Sequence, residues 1–453
     1  MFRRQFSISY ICIPNPYAKM KNTSLRLLFS LLIFLCYQNA RSQENIILYI
    51  KAGKMFDSEK GKLLSDQVIR IKGNLIEEVG KNLPIPEGAE VIDLSGYIVL
   101  PGLIDAHVHL LYLESPKGDL ASEGIKTIVM EGDALRALRG AARAETFLKA
   151  GITTVKDLGN SGQYLDIALK KAIDEGTVEG PRMVVSGPIL SSEGGQFPGL
   201  LFQHRHLTDL EYRIIKGEED AINAVRENIT YGADIIKICA NNTPNNTSLT
   251  IPEMKAIVKT AHRYRRKVTA HATNNLAVWE AVMAGVDGIE HGYSIEDSTM
   301  VLMAKKGIPL IPTDSSKKMM KSYSEIAGFD GNSNSIKAYL ESQHDRLRRA
   351  IKHGVTIVAG SDMYIDLNMP QGVAAKEVLA AYFEAGMKPL EILKSATYHS
   401  SKFMNKENTL GILKKGALAD IIAVKGDLEA NFTETISKVV FVMKDGKKYV
   451  EKQ

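Results

Sequence analysis

One pattern constrains this chain more than any other: a short apolar run followed by a stretch with helical spacing, repeated along the sequence. Eight such runs can be read, at Leu103–Leu110, Thr153–Asp157, Met183–Ser186, Ile235–Ala240, Val268–Ala272, Gly288–His291, Pro309–Pro312 and Thr356–Ser361. Between them, Ala221–Thr230, Glu253–Tyr264, Leu276–Ala284 and Ser335–Ile351 space their apolar residues as helices do. Thr250-x-x-Glu253 with Pro252 in the first turn is a capping-box helix start. Eight strands alternating with helices over about 260 residues predict an α/β fold of the (β/α)8 TIM type, with the strands' C-terminal ends meeting at one mouth. An open doubly wound sheet is the alternative, but no Gly-x-Gly-x-x-Gly follows an early strand to give it a dinucleotide site.

Both ends of the chain read differently. Ile46–Ile50, Gln67–Ile71, Glu90–Asp93 and Tyr97–Leu100 are β-type runs punctuated by Gly53, Gly73 and Gly96, and Ala419–Val424 and Val439–Gly446 repeat the pattern. We expect a small β-sandwich built from 43–100 and 408–453 around a barrel domain at 101–407. The length of 453 residues, with 45% hydrophobic and 24% charged content, gives ample core for both.

Charge matters chiefly for what it excludes. The formal +5 contains six basic residues from 1–42 (Arg3, Arg4, Lys19, Lys21, Arg26, Arg41) and no acid, so removing those six leaves −1 on the remainder. No nucleic-acid partner follows from that balance. Residues 1–42 read as a targeting leader with its true start at Met20: Met20–Arg26 is a positive n-region, Leu27–Tyr37 an apolar h-region and Ala40-Arg41-Ser42 a small-x-small cleavage site. Export to the periplasm or medium of a bacterial cell is the expectation. A lipoprotein anchor at Cys36 is disfavoured by bulky Leu35 before it. Beyond the leader Cys239 is the single cysteine, so no disulfide framework is available and Cys239 reads as inert core. Trp279, on a helical stretch, also reads as core.

The chemistry-bearing residues stand at the ends of the apolar runs. His107 and His109 in Pro101–His109 are spaced i, i+2, so on a strand both imidazoles face one side. Lys237, His271, His291 and Asp362 close four other runs. On a barrel these six converge, offering four imidazoles, a carboxylate and one lysine. An ammonium beside a divalent ion is electrostatically unfavourable, so Lys237 must sit there either without its proton or converted into an anion. Asp105 points the same way as His107 and is either a support for it or a buried structural carboxylate.

This set, with Gly288-Ile-Glu-His-Gly292, Gly360-Ser-Asp362, Leu410–Asp420 and Val442–Gly446, resembles the amidohydrolase superfamily from about residue 46 to 450. Within it the chain is similar to the branch holding imidazolonepropionase-like proteins and the prolidase-like dipeptidases that cleave Xaa-Pro or Xaa-Arg/Lys. The resemblance implies two divalent metal ions, zinc before manganese or cobalt, bridged by carbon dioxide taken up as a Lys237 carbamate. It further implies His107, His109 and Asp362 on the more buried ion and His271 and His291 on the other. Such a pair of ions activates a shared water and polarises the scissile carbonyl, with Asp362 as the general base.

Three loops line the expected mouth: Ser191–Gly199 with His204 and His206, Asn241–Thr247, and Ser361–Gln371. Gln196, His204, His206 and Tyr364 are the candidate substrate contacts. Gln196 and Pro370-Gln371-Gly372 stand where relatives of the dipeptidase branch commonly carry histidine and His-Gly, which leaves the substrate class open. The reading is an amide hydrolase acting on a small molecule, a dipeptide or N-acyl amino acid. The rivals are a single-metal cyclic-amide hydrolase or deaminase with Lys237 unmodified, and a binding protein that has lost catalysis; whether the chain forms a homo-oligomer is left open.

Overall fold

Glycine at position 102 marks where the two parts of the chain join. Strand β4 (Glu90–Pro101) runs through it almost directly into β5 (Leu103–Val108), and a Cβ there would lie 2.1 Å from Thr153 Oγ1. Only a residue without a side chain lets the two strands pass so close to the next one. The structure, a computed structural model, describes residues 47–118 and 120–452; the expected leader at 1–42, with Met20 and Cys36, lies outside them.

On the near side of Gly102, β1 (Ile47–Asp57), β2 (Lys62–Lys72) and β3 (Leu75–Gly80) precede β4. From the far end of the chain come β14 (Ile421–Val424), β15 (Val439–Lys444) and β16 (Lys447–Glu451). All seven form one sheet in the order β16-β15-β14-β4-β1-β2-β3, with β14 antiparallel to β4 and β1 parallel to it. Alternating side chains such as Ile50, Ile69, Ile71, Val99, Ile421 and Phe441 share one apolar cluster, so both chain ends are needed to complete it.

Beyond Gly102 the chain is mixed α/β. The strands are β5, β6 (Ile152–Asp157), β7 (Arg182–Val185), β8 (Ile189–Ser191), β9 (Tyr212–Ile214), β10 (Ile236–Cys239), β11 (Val268–Asn274), β12 (Gly288–Ser294) and β13 (Leu310–Ile311). Parallel ladders run β5-β6-β7 and β13-β12-β11-β10-β8-β9. Asp234 N donates to Val185 O at 2.8 Å, tying β7 to the lead-in of β10. The eighth run, 356–361, makes no ladder of its own, yet Leu310 N donates to Thr356 O, Val358 N to Leu310 O and Ala106 N to Ala359 O. It therefore lies between β13 and β5, and the succession of parallel runs returns to its start.

The expected helices appear as Glu218–Tyr231, Ile251–Arg263, Asn275–Ala284 and Asn334–Lys352. Thr250 and Glu253 form the reciprocal capping box that their spacing predicts. The pair β8 and β9 was not among the eight expected runs; it carries the loop that reaches over the site. Trp279 corrects another expectation, since it is 40% exposed: Ala277, Val278, Ala281 and Val282 fill the buried face of its helix. Cys239 is buried and free, with its thiol pushed up to about 12 by burial. Among the described residues no helix is long and apolar enough to cross a membrane.

Candidate metal centre

The six residues stand within or just past the parallel runs, with His107 on β5 and His109 one residue beyond it, Lys237 on β10, His271 on β11, His291 on β12 and Asp362 after the eighth run, and all six line one cavity of about 460 Å³. His107 Nε2 is 3.2 Å from His109 Nε2, and Asp362 Oδ1 lies 3.3 Å from the first and 3.1 Å from the second. One donor atom from each of these three residues falls within 4.8 Å of the others. Lys237 Nζ is 3.5 Å from His107 Nε2. The His291 ring lies 5.2 Å from that of His107 and 4.5 Å from that of His271, centre to centre.

The rings are aimed by what holds their other nitrogens. His107 Nδ1 meets Glu290 Oε2 at 2.9 Å, His109 Nδ1 meets Gly159 O at 2.7 Å, and His291 Nδ1 meets Thr313 Oγ1 at 2.8 Å. In the first two an acceptor fixes the proton on Nδ1 and leaves Nε2 bare toward the cavity, as metal-ligating histidines require. His271 differs: Gln196 Nε2 donates to its Nε2 at 3.1 Å.

Backbone strain accompanies the ligand positions. His291, Thr313 and Asp362 have φ of 72°, 57° and 53°, a left-handed region that side-chain-bearing residues avoid and β-branched threonine avoids most. Arg346 steadies the first, donating to His291 O at 2.7 Å while paired with Asp314. Asp362 N donates to His107 O at 2.7 Å, and Asp105 Oδ1 accepts from His107 N and Ser361 N. Asp105 thus fastens β5 to the eighth run, which accounts for its burial beside the site.

Electrostatics favour neutral imidazoles at His107, His271 and His291 beside an ionised Asp362 carboxylate. Burial, then Lys237, lowers His107 to about 4 and His271 to about 3; burial and His271 hold His291 well below its ordinary range. Burial works against Asp362, but His107, His109 and His291 outweigh it and hold the carboxyl well below the usual carboxylate value. At His109 Asp362 outweighs burial and the shift is upward.

Of the candidate substrate contacts, Gln196 and Tyr364 line the cavity. His204 and His206 do not: both are exposed on the turn of helix at Phe202–Leu210. The asparagine-rich loop is largely a brace, with Asn242 bonded to Ser191, Ser192 and Thr247, and Asn245 to the backbone of Gly194, Gly195 and Phe197. The sequence reading left four contributors unassigned: Glu290 behind His107, Lys156 on Glu290, and Tyr112 with Glu114 in the wall. Tyr112 OH donates to Glu114, whose carboxyl burial pushes up to about 7. Glu290 sat in view between Ile289 and His291, where a carboxylate in an apolar run is itself a sign of a buried partner.

The amidohydrolase family model matches residues 98–449. The chain belongs to the amidohydrolase family. This amidohydrolase is a hydrolase by that membership, and it is 28% identical to ochratoxinase of Aspergillus niger over 440 residues, 90% of this chain and 88% of the relative. It is 24% identical to imidazolonepropionase of Fusobacterium nucleatum subsp. nucleatum, over 84% of this chain and 92% of the relative. Among solved structures, a Xaa-Pro dipeptidase with bound methionine in the active site aligns with this amidohydrolase at TM-score 0.77 and 28% identity, over 89% of this chain and all of the other.

Proposed function

We propose that this amidohydrolase cleaves the amide bond of a dipeptide or N-acyl amino acid at a pair of divalent ions. The framework would be a (β/α)8 barrel at 101–407 with a small β-sandwich from 43–100 and 408–453, supported by the returning succession of parallel runs and by the seven-stranded sheet shared between the chain ends. One observation carries the reading: His107, His109 and Asp362 present donor atoms within 4.8 Å of one another in a cavity that Lys237, His271 and His291 also line. Neutral imidazoles at His107, His271 and His291 with an ionised Asp362 carboxylate are the donor chemistry of a zinc site, so the residues fit the group.

His107, His109 and Asp362 would hold one ion, His271 and His291 the second, and Lys237, carrying carbon dioxide as a carbamate, would reach both. Bound there, the ions supply a water of lowered pKa and polarise the scissile carbonyl. Asp362 takes the water's proton on a carboxylate oxygen and passes it to the leaving nitrogen. Phe197, Tyr212, Tyr293 and Tyr364 wall the cavity and would seat an apolar or aromatic side chain while excluding bulk water. The Xaa-Pro dipeptidase supports the dipeptide class by its name.

The test is a panel of dipeptides and N-acyl amino acids bearing apolar side chains, run with zinc-loaded protein beside Asp362→Asn. Turnover in the parent that falls by about a thousandfold or more in the variant is the expected result; a parent that turns over neither set removes the reading. A second reading, one ion per chain, draws on Gln196 holding His271 Nε2. Metal analysis separates them, with two ions per chain expected and one favouring the rival. We further propose export, on the leader pattern of residues 20–42, checked by N-terminal sequencing of the mature protein.

A further inference from the structure

A second cavity, of about 700 Å³, opens at the other end of the parallel runs, and no residue lines both it and the metal centre. Lys267, Asp287 and Pro309 in its wall immediately precede β11, β12 and β13, whereas His271 and His291 lie farther along β11 and β12. Its wall is basic. Lys267, Lys306, Lys394 and Lys402 all border it, and among the described residues none of their ammonium groups has a hydrogen-bonded or ion-paired partner. Two carboxylates, Asp287 and Glu407, oppose four cations. Asp287 is already engaged, accepting from His262 Nε2 and Val268 N at 2.8 Å each.

The lysines come from separate elements: the lead-in to β11, and the ends of the helices Asp297–Lys306, Pro389–Lys394 and Ser400–Phe403. Unpaired ammonium groups gathered around one concavity repel each other, and Lys267 is held below its ordinary value by burial. The arrangement is relieved by an anion placed between them. No arginine lines the cavity, so its cations act as point charges, the role in which lysines bind phosphate oxygens. Phe403, Val286, Ile308 and Val358 add an apolar wall, and the volume is that of a small-molecule pocket, roughly 300 to 1,000 Å³.

We propose that this cavity binds a small organic phosphate, independently of the metal centre. The phosphate group sits among the four lysines and the organic part rests on Phe403 and its apolar neighbours. Phe403 is also the ring over which Lys156 and Lys267 lie, 4.3 and 5.3 Å from Nζ to centroid.

Phenyl phosphate is the probe, titrated calorimetrically into the full-length metal-loaded protein and into Lys394→Ala/Lys402→Ala, with benzyl alcohol as the uncharged control. The expected result is saturable binding to the parent that weakens with added salt, drops by about tenfold or more in the double variant, and is not seen with benzyl alcohol. Lys306→Ala, on an exposed side chain, provides an independent variant with a smaller loss; far-UV circular dichroism confirms that each variant is folded. Equal affinity in parent and double variant would mean the probe sits elsewhere, the metal centre included, and overturns the proposal. So does an absence of binding at millimolar probe.

Discussion

Lys156 Nζ donates to Glu290 Oε1 at 2.8 Å, and neither side chain has any exposure to solvent. The other carboxylate oxygen of Glu290 accepts from His107 Nδ1. A charge from β6 therefore reaches a metal-ligand candidate on β5 through a residue on β12. Burial alone would push the Glu290 carboxyl up, but Lys156 and His107 outweigh it and hold it well below its usual range; burial leaves Lys156 lowered to about 8.

Removing one member of this pair should be costly, because the survivor stays buried without its counter-charge. Lys156→Met is expected to lower unfolding stability by roughly 3 to 5 kcal/mol. The double change Lys156→Met/Glu290→Gln should cost less than the two single changes added together. Denaturant titrations of the three variants check this, and strict additivity would show that the pair is not coupled.

Lys376, which does not line the metal-centre cavity, offers a separate pH signature. It is buried, donates to Ile436 O at 3.0 Å, and burial, helped by Lys452, lowers it to about 8, against about 10.4 in an unfolded chain. Between those values the unfolded state binds the extra proton, so this group makes stability rise with pH from about 8 to about 10.4. Below pH 8 both states are protonated and the full penalty of the buried charge applies. Lys376→Met should remove that rise, seen as a flatter plot of denaturant midpoint against pH; an unchanged slope would mean that Lys376 keeps its ordinary pKa.

Much of this architecture could be read from local pattern, and the failures have physical reasons. The runs at Ile152–Asp157, Ile236–Cys239 and Val268–Asn274 lie within a few residues of their expected places, because continuous apolar character is dictated by burial on both faces. The six converging side chains were legible for a related reason, since a polar residue that ends an apolar run needs a partner. What was hidden depends on contacts across the chain. Lys156 is 134 residues from Glu290, and nothing local to Thr153–Asp157 says which carboxylate it meets. Gly372 closes the Pro370-Gln371-Gly372 stretch that departs from the dipeptidase pattern, and a Cβ there would lie 2.3 Å from Thr146 O: close backbone packing against the helix Gly132–Lys149 sets that residue. His204 and His206 shared the spacing of His107 and His109, and their rings lie 6.4 Å apart, but they stand on an exposed helical turn outside the cavity.

Gln196 competes with a cation for one lone pair. Its amide donates to His271 Nε2, and Tyr212 OH in turn donates to Gln196 Oε1 at 3.4 Å. A hydrogen bond of this kind is worth about 1 kcal/mol net, so Gln196→Ala should tighten metal binding at His271 by about fivefold. Metal titration of stripped protein, followed by calorimetry, reads the change directly. Weaker binding in the variant would mean that Gln196 supports the site instead of occupying it.

Metal removal gives the broadest check, because the ligands come from strands spread along the whole returning sheet. His107, Lys237, His271, His291 and Asp362 belong to β5, β10, β11, β12 and the eighth run, and ions bound by all of them favour the folded chain over the unfolded one. At a free concentration a hundred times Kd, one such site adds about 2.7 kcal/mol. Chelation should therefore lower the apparent Tm of the parent by several degrees, and added zinc should restore it. The same treatment should lower the Tm of Asp362→Asn by less than that of the parent, because its carboxylate at 3.1 Å from His109 Nε2 is gone. A parent whose Tm ignores chelator, at a metal content shown to have fallen, would mean that the ions do not brace the strands that carry their ligands.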